Sequence, residues 1–299
     1  MLTKYLDPKN DVAFKKIFGS EKHKDILIHF INDMLGFSGD KAIVDVTFLN
    51  TIQDPEIASK KQSIVDVLCK DSKGVQYIIE MQVAESKGFE KRAQYYAAKA
   101  YAGQLDKGRG EKGKYANLKE IIFIAIADCV LFPEKEEYKS DHVILDKNNG
   151  DHDLKDFSFT FIELPKFTKK VGDKLDSMVE KWCMFFKYAD EMTEDDLQKL
   201  IEAGDVVIKD AYVALDRFNW SEQELLAYEQ ELKRVLDNAA VEEAKLDAAE
   251  AKGIEKGREE GKKAEKIEIA KLMISKNKPI EEIIELTGLT ESEIKSLKI

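Results

Sequence analysis

Histidine and cysteine are both scarce, with four of the first and three of the second among 299 residues. His23, His29, His142 and His152 show no metal-ligand spacing, which argues against a zinc centre. Cys69, Cys129 and Cys183 cannot all pair and none lies in a Cys-x-x-Cys motif. They read as reduced core residues. Only five prolines occur, and 43% of the residues are apolar, so a disordered or fibrous chain is excluded. No apolar run approaches the ~18 residues of a membrane span, and the opening MLTKYLDPKND lacks the apolar core of a signal peptide. A cytoplasmic protein is therefore expected.

Charge is plentiful, at 35% of residues, with a net value of −11. That balance seems to speak against nucleic acid, but its distribution matters more. Residues 173–250 hold 21 Asp and Glu against 9 Lys and Arg, whereas residues 85–119 hold 9 basic against 4 acidic. An acidic chain can still present a basic face.

Three zones follow from pattern. In the first, about 1–170, Asp7-Pro8 predicts the start of a helix running to Phe18, and a second helix spans Glu21 to Leu35, stopped by Gly36. Apolar runs at 42–49, 63–69, 75–83, 120–127, 141–145 and 157–164 read as strands, with a helix near 89–105 between the third and fourth. That order indicates an α/β domain. The second zone, 171–250, is acidic and helical, with Trp182, Phe185, Phe186 and Trp220 as core candidates. In the third, 251–299, Gly253, Gly257 and Gly261 recur every four residues among helix formers. They would line one helical face and permit close helix approach, but a frayed linker is the favoured reading, since each interior glycine costs about 1 kcal/mol. The tail holds two short helices about the turn 287–290, with Thr290 and Glu293 as a capping box. Glu291 and Glu293 suit packing or self-association better than base reading.

Chemistry concentrates between Ser63 and Val83. Asp66 lies inside SIVDVLC, and Glu80 and Gln82 inside YIIEMQV. A buried charge in an apolar strand costs several kcal/mol unless paired or bound to a cation. Asp71-Ser72-Lys73-Gly74-Val75 fits a three-residue hairpin loop closed by a left-handed glycine. Asp71 then opposes Val75, and Asp66 opposes Glu80 with Cβ atoms about 5 Å apart. Gln82 projects from the face of Glu80. A divalent ion with oxygen ligands, Mg²⁺ above all and Mn²⁺ as a substitute, would neutralise the pair. A buried lysine or arginine is the alternative.

The arrangement of Asp66 and Glu80-Met81-Gln82 on neighbouring strands resembles the PD-(D/E)XK (restriction-endonuclease-like) fold, a mixed sheet flanked by helices, here followed by an all-helical C-terminal region. More narrowly, NDVAFKKIFG (10–19), SIVDVLCKDSKGVQYIIEMQ (63–82) and RAQYYAAKAY (92–101) resemble the recombination-promoting nuclease and PD-(D/E)XK transposase-like family over about 1–165. The resemblance implies that Asp66 and Glu80 are metal ligands and that Gln82 stands where the signature lysine would. Glutamine can orient an attacking water but brings no positive charge. Val65 replaces the proline of the fold's name. Asp11, which shares a helix face with Phe14 and Phe18, either reaches the metal's water shell or is a favourable acid in a first helical turn.

The helix after Gln82 interleaves Lys87, Lys91, Arg92 and Lys99 with Tyr95, Tyr96 and Tyr101, Arg92 and Tyr96 sharing a face. Phosphate contacts from Lys87, Lys91, Arg92 and Lys99 beside Tyr96 would give salt-sensitive DNA affinity. Packed tyrosines and solvated lysines are the bland alternative. Arg109, Lys112 and Lys114 would extend that surface. The expectation is a Mg²⁺-dependent DNA endonuclease, catalytic through Asp66, Glu80, Gln82 and Asp11, linked by resemblance to recombination or transposition. It would form homo-oligomers through its C-terminal helices. The competing expectation is a non-catalytic DNA-binding or self-associating protein that keeps the nuclease fold.

Overall fold

The computed structural model describes residues 3–53, 63–84, 86–105, 115–201 and 206–297. It divides into two compact units, Met1–Leu232 and Lys233–Ile299. Arg109, Lys112 and Lys114 lie outside the described residues.

The first unit begins with α1 (Asp11–Phe18) and α2 (Lys24–Leu35). Helix α1 starts later than Asp7-Pro8 suggests. The Asp7 carboxylate accepts the Lys9 N–H at 2.9 Å and closes a local turn, and Asn10 takes over the cap by accepting the Val12 N–H at 3.0 Å. Gly36 ends α2 at φ 65°, a conformation glycine enters without steric cost.

Strands β1 (Val46–Phe48), β4 (Val67–Asp71), β5 (Gln76–Gln82), β6 (Ile121–Ala127), β7 (Lys139–Val143) and β8 (Phe157–Glu163) form one mixed sheet in the order β1-β4-β5-β6-β8-β7. Two short strands, β2 (Ile52–Gln53) and β3 (Ser63–Ile64), pair separately. β5, β6 and β8 run parallel, whereas β1, β4 and β7 are antiparallel to their neighbours. β1 is shorter than the apolar run at 42–49, because both backbone groups of Ile43 are taken by the Asn32 amide on α2, which donates to Ile43 O at 2.9 Å and accepts the Ile43 N–H at 2.8 Å. β7 begins two residues before the expected 141. The result is an α/β fold, a mixed sheet flanked by helices and followed by a long helical region, the architecture that the resemblance implies.

Alternation along β5 sorts the core into two layers. Tyr77 and Ile79 pack with Phe14, Phe18, Phe30 and α4 (Met178–Tyr188), while Ile78 faces α3 (Phe89–Gly103). In the first layer Trp182 and Phe186 meet Phe18 and Phe30 at ring-centroid separations of 5.3–6.0 Å, and the Trp182 indole N–H donates to Asp33 at 2.8 Å. Each fully buried phenylalanine contributes roughly 1.5–3 kcal/mol. In the second layer α3 turns Phe89, Ala93, Ala97 and Ala100 to the sheet, and the alanines allow close approach. Cys69 and Cys183 are core residues as expected, but Cys129 is only half-buried.

The acidic zone adds α5 (Glu194–Leu200), α6 (Val206–Leu215) and the start of α7 (Glu222–Ser275). Gly253, Gly257 and Gly261 lie inside α7, so the frayed linker does not form. Beyond their own helix, a Cβ at any of the three would meet no atom of the described residues within 4 Å. Long runs of Ala, Glu and Lys on either side outweigh their helix cost. In the second unit α8 (Ile280–Thr287) and α9 (Glu291–Ser296) flank Gly288 at φ 67°. Thr290 and Glu293 form the expected capping box, and Ala270, Ile283, Leu289 and Ile294 make a small core. Among the described residues, no helix is long and apolar enough to cross a membrane.

Candidate active site

The site grows from the β4–β5 hairpin. Gly74 adopts φ 88°, the Gly74 N–H donates to Asp71 O at 3.1 Å, and the Asp71 N–H donates to Val75 O at 3.0 Å. The Asp71 carboxylate also accepts the Lys73 and Val75 N–H groups, each at 2.9 Å. This is the three-residue loop that the sequence predicts. It sets Val67 opposite Ile79, Leu68 opposite Ile78 and Cys69 opposite Tyr77, the register that carries Asp66 toward Glu80. Asp66 itself lies in a bend just before β4, and its Oδ2 accepts the Met81 N–H at 2.9 Å. The bend ties the aspartate to the partner strand by a side-chain bond in place of a ladder bond.

Glu80 is only 5% exposed, and among the described residues its buried Oε1 has no hydrogen-bond partner. Its neighbours across the parallel pairing are small, with Ala125 beside Glu80 and Ala127 beside Gln82. Burial pushes the Glu80 carboxyl well above the ordinary carboxylate range, the negative charge of Asp66 pushes it further, and Arg92 opposes both. Burial likewise raises Asp66, against the pull of the Met81 N–H and of Lys15. A buried carboxylate oxygen without a donor is costly, and a cation would remove that cost.

Gln82 follows on the same face. Its Oε1 accepts from the Arg92 guanidinium and its Nε2 donates to the Ala84 carbonyl. Arg92 rests 4.8 Å from the Phe89 ring centroid and acts electrostatically on both Asp66 and Glu80. Tyr96, one turn further along α3, is half-buried, and burial raises its hydroxyl pKa, with Arg92 opposing. Lys87 and Lys91 are exposed before and at the start of α3, and Lys99 is half-buried on its later half.

Asp11 lies on α1 in ion-pair contact with Lys15 at 2.7 Å. Lys15 in turn approaches Asp66 Oδ1 to 3.8 Å. Burial pulls the Lys15 pKa down, but its bond to Asp11 and the charges of Asp66 and Glu80 outweigh that and leave it raised, so the ammonium persists. The structure thus gathers Asp11, Asp66, Glu80, Gln82, Arg92 and Tyr96 and adds Lys15, which the sequence reading passed over. Its signal was the spacing of four from Asp11 on a helix, which favours an ion pair.

Among the described residues, no three His, Cys, Asp or Glu side chains are grouped to hold a metal ion. The hairpin offers two carboxylates, one with an orphaned oxygen. That set suits a hard divalent cation, which often takes one or two protein carboxylates and completes its shell with water and phosphate oxygens.

Comparisons with curated proteins and with solved structures return no match. The sequence pattern of the PD-(D/E)XK nuclease family transposases, in contrast, matches residues 8–245. The match runs past the α/β zone, through the acidic helices and into α7, well beyond the 1–165 over which the resemblance is read. The matched stretch takes in the whole sheet and much of the helical region, and the chain belongs to the PD-(D/E)XK nuclease family transposases.

Proposed function

We propose that the protein is a divalent-metal-dependent DNA endonuclease, with Mg²⁺ the natural ion and Mn²⁺ a substitute. The observation that carries this reading is the buried Glu80 carboxylate with its orphaned Oε1 beside Asp66. A pair of acids held this way, against two raised pKa values, is a strained arrangement in the absence of a cation. Asp66 and Glu80 would hold the ion, which when bound polarises a phosphoryl oxygen and lowers the pKa of a water. Gln82, fixed between Arg92 and Ala84, would orient the attacking water through its remaining hydrogen-bonding capacity. Arg92 and Tyr96 beside the acids, with Lys87, Lys91 and Lys99 along α3, would receive the DNA backbone.

Plasmid nicking by the purified protein tests this. Nicking in Mg²⁺, absent in EDTA and lost in Glu80→Ala, is the expected result. The absence of nicking at low salt, with no Mg²⁺ uptake by calorimetry, would leave the second reading, a non-catalytic DNA-binding or self-associating protein. That alternative draws on Gln82, whose neutral amide stands where a lysine would supply charge.

A further inference from the structure

Phosphodiester cleavage builds negative charge on the phosphoryl oxygens, and fixed cations at that point are worth much in rate. Gln82 supplies none. Arg92 comes from α3, gives one hydrogen bond to Gln82, rests on the Phe89 ring and keeps its Nε buried away from solvent. Lys15 differs on each count. It comes from the opposite helical layer, its side chain is 41% exposed, and its Nζ stands 3.8 Å from Asp66 Oδ1. That separation is a charge contact longer than a hydrogen bond. Among the described residues its short partner is Asp11, on the same helix, at 2.7 and 2.9 Å from the two carboxylate oxygens. A compact ammonium on a flexible stem, anchored to one carboxylate and open to solvent, can swing onto a phosphate held at Asp66.

We propose that Lys15 is the cationic catalytic residue of this site, donating a hydrogen bond to a non-bridging oxygen of the scissile phosphate, and that Asp11 is its positioning residue. The inference rests on the nuclease reading above. In the hydrolysis, a water oxygen bonds to phosphorus as the ester P–O bond breaks. The water's proton passes to solvent, and the departing oxygen takes one from solvent. Lys15 keeps its proton throughout and gains no electron pair.

The test combines three measurements on the full chain: single-turnover plasmid nicking, Mn²⁺ binding by calorimetry, and DNA binding by anisotropy. Lys15→Gln should nick about 10²-fold more slowly, the loss expected for one transition-state donor. Lys15→Arg should recover most of the rate. Mn²⁺ should bind Lys15→Gln as tightly as wild type or tighter, because a cation competing for Asp66 has gone. DNA affinity should fall only a few-fold, the effect of one phosphate contact. If Lys15 only neutralises the carboxylates of the metal-free protein, Lys15→Gln will nick at the wild-type rate while Asp66→Ala is dead. That result overturns the role of Lys15 and spares the nuclease reading. Equal losses in Lys15→Gln and Lys15→Arg together with weakened Mn²⁺ binding would mark a structural role and overturn it too. Wild-type protein that does not nick would remove both.

Discussion

Two buried glutamates stand near the ends of parallel strands in the same sheet, and their surroundings differ in kind. Glu163, at the end of β8, is 1% exposed; its Oε1 accepts the Leu131 and Phe132 N–H groups at 2.6 and 3.0 Å, and its Oε2 meets Lys166 at 2.8 Å. Every part of that carboxylate is used, and what it does is clamp the turn after β6 to β8. Glu80, two strands away on β5, is nearly as buried but keeps an unpartnered oxygen and faces a second acid. Burial by itself therefore does not separate these two acids. The count of donors does: Glu163 is fully paired, whereas Glu80 keeps an open oxygen, the feature on which the proposed cation site rests.

The comparison is sharpest if each glutamate is removed in turn. Glu163→Ala should cost about 3–5 kcal/mol in denaturant unfolding, since it strands Lys166 and two backbone N–H groups. Its nicking rate per folded molecule should stay near wild type. Glu80→Gln should do the reverse: melting no lower than wild type, with nicking slowed by at least about 10²-fold. Reversed outcomes would erase the distinction drawn here.

A second prediction concerns pH. Asp66 and Glu80 have raised pKa values in the folded state, so the native protein binds more protons than the unfolded chain, and metal-free stability should fall as pH rises through those values. Bound cation needs both acids ionised, so Mg²⁺ should raise the melting temperature more in weakly alkaline than in weakly acidic buffer. Glu80→Gln should flatten both trends, whereas Glu163→Gln should leave the Mg²⁺ response intact. Scanning calorimetry with and without Mg²⁺ would measure this.

The smallest effect tests the register that brings the acids together. Gly74 holds φ 88°, and a Cβ there would stand 3.2 Å from Lys119 Cγ. Gly74→Ala should lower stability by about 1–2 kcal/mol through left-handed strain. It should leave nicking per folded molecule almost unchanged, because the β4–β5 ladder holds the pairing once formed. A large loss of nicking would mean that the turn, and not the ladder, holds Asp66 against Glu80.

Much of this architecture was legible residue by residue. Gly74 and Asp71 announced the hairpin, and the register followed by counting back from the loop, since strand periodicity leaves no freedom once the turn is set. Gly36 marked the end of α2. Other positions were less readable where two local signals competed. Asp7-Pro8 is a good helix start in isolation, but Asn10 also caps, and Asp7 is drawn into its own turn and into accepting Lys9. The glycines of α7 argued for a linker one by one, while their long helix-forming neighbourhood prevailed.

What the sequence determined by itself are the features set within a few residues: turn conformations, caps, strand alternation, and through them the approach of Asp66 to Glu80 across one hairpin. Only the tertiary structure decided which charges join that pair. Lys15 lies 51 residues before Asp66 and on the other layer of the sheet, Arg92 arrives from α3, and the orphaned oxygen of Glu80 is visible only once every neighbour is in place. The reason is physical. Local conformation depends on short-range sterics and hydrogen bonds, whereas the electrostatics of a buried site depend on which distant side chains packing brings within a few ångströms, and on which it leaves out.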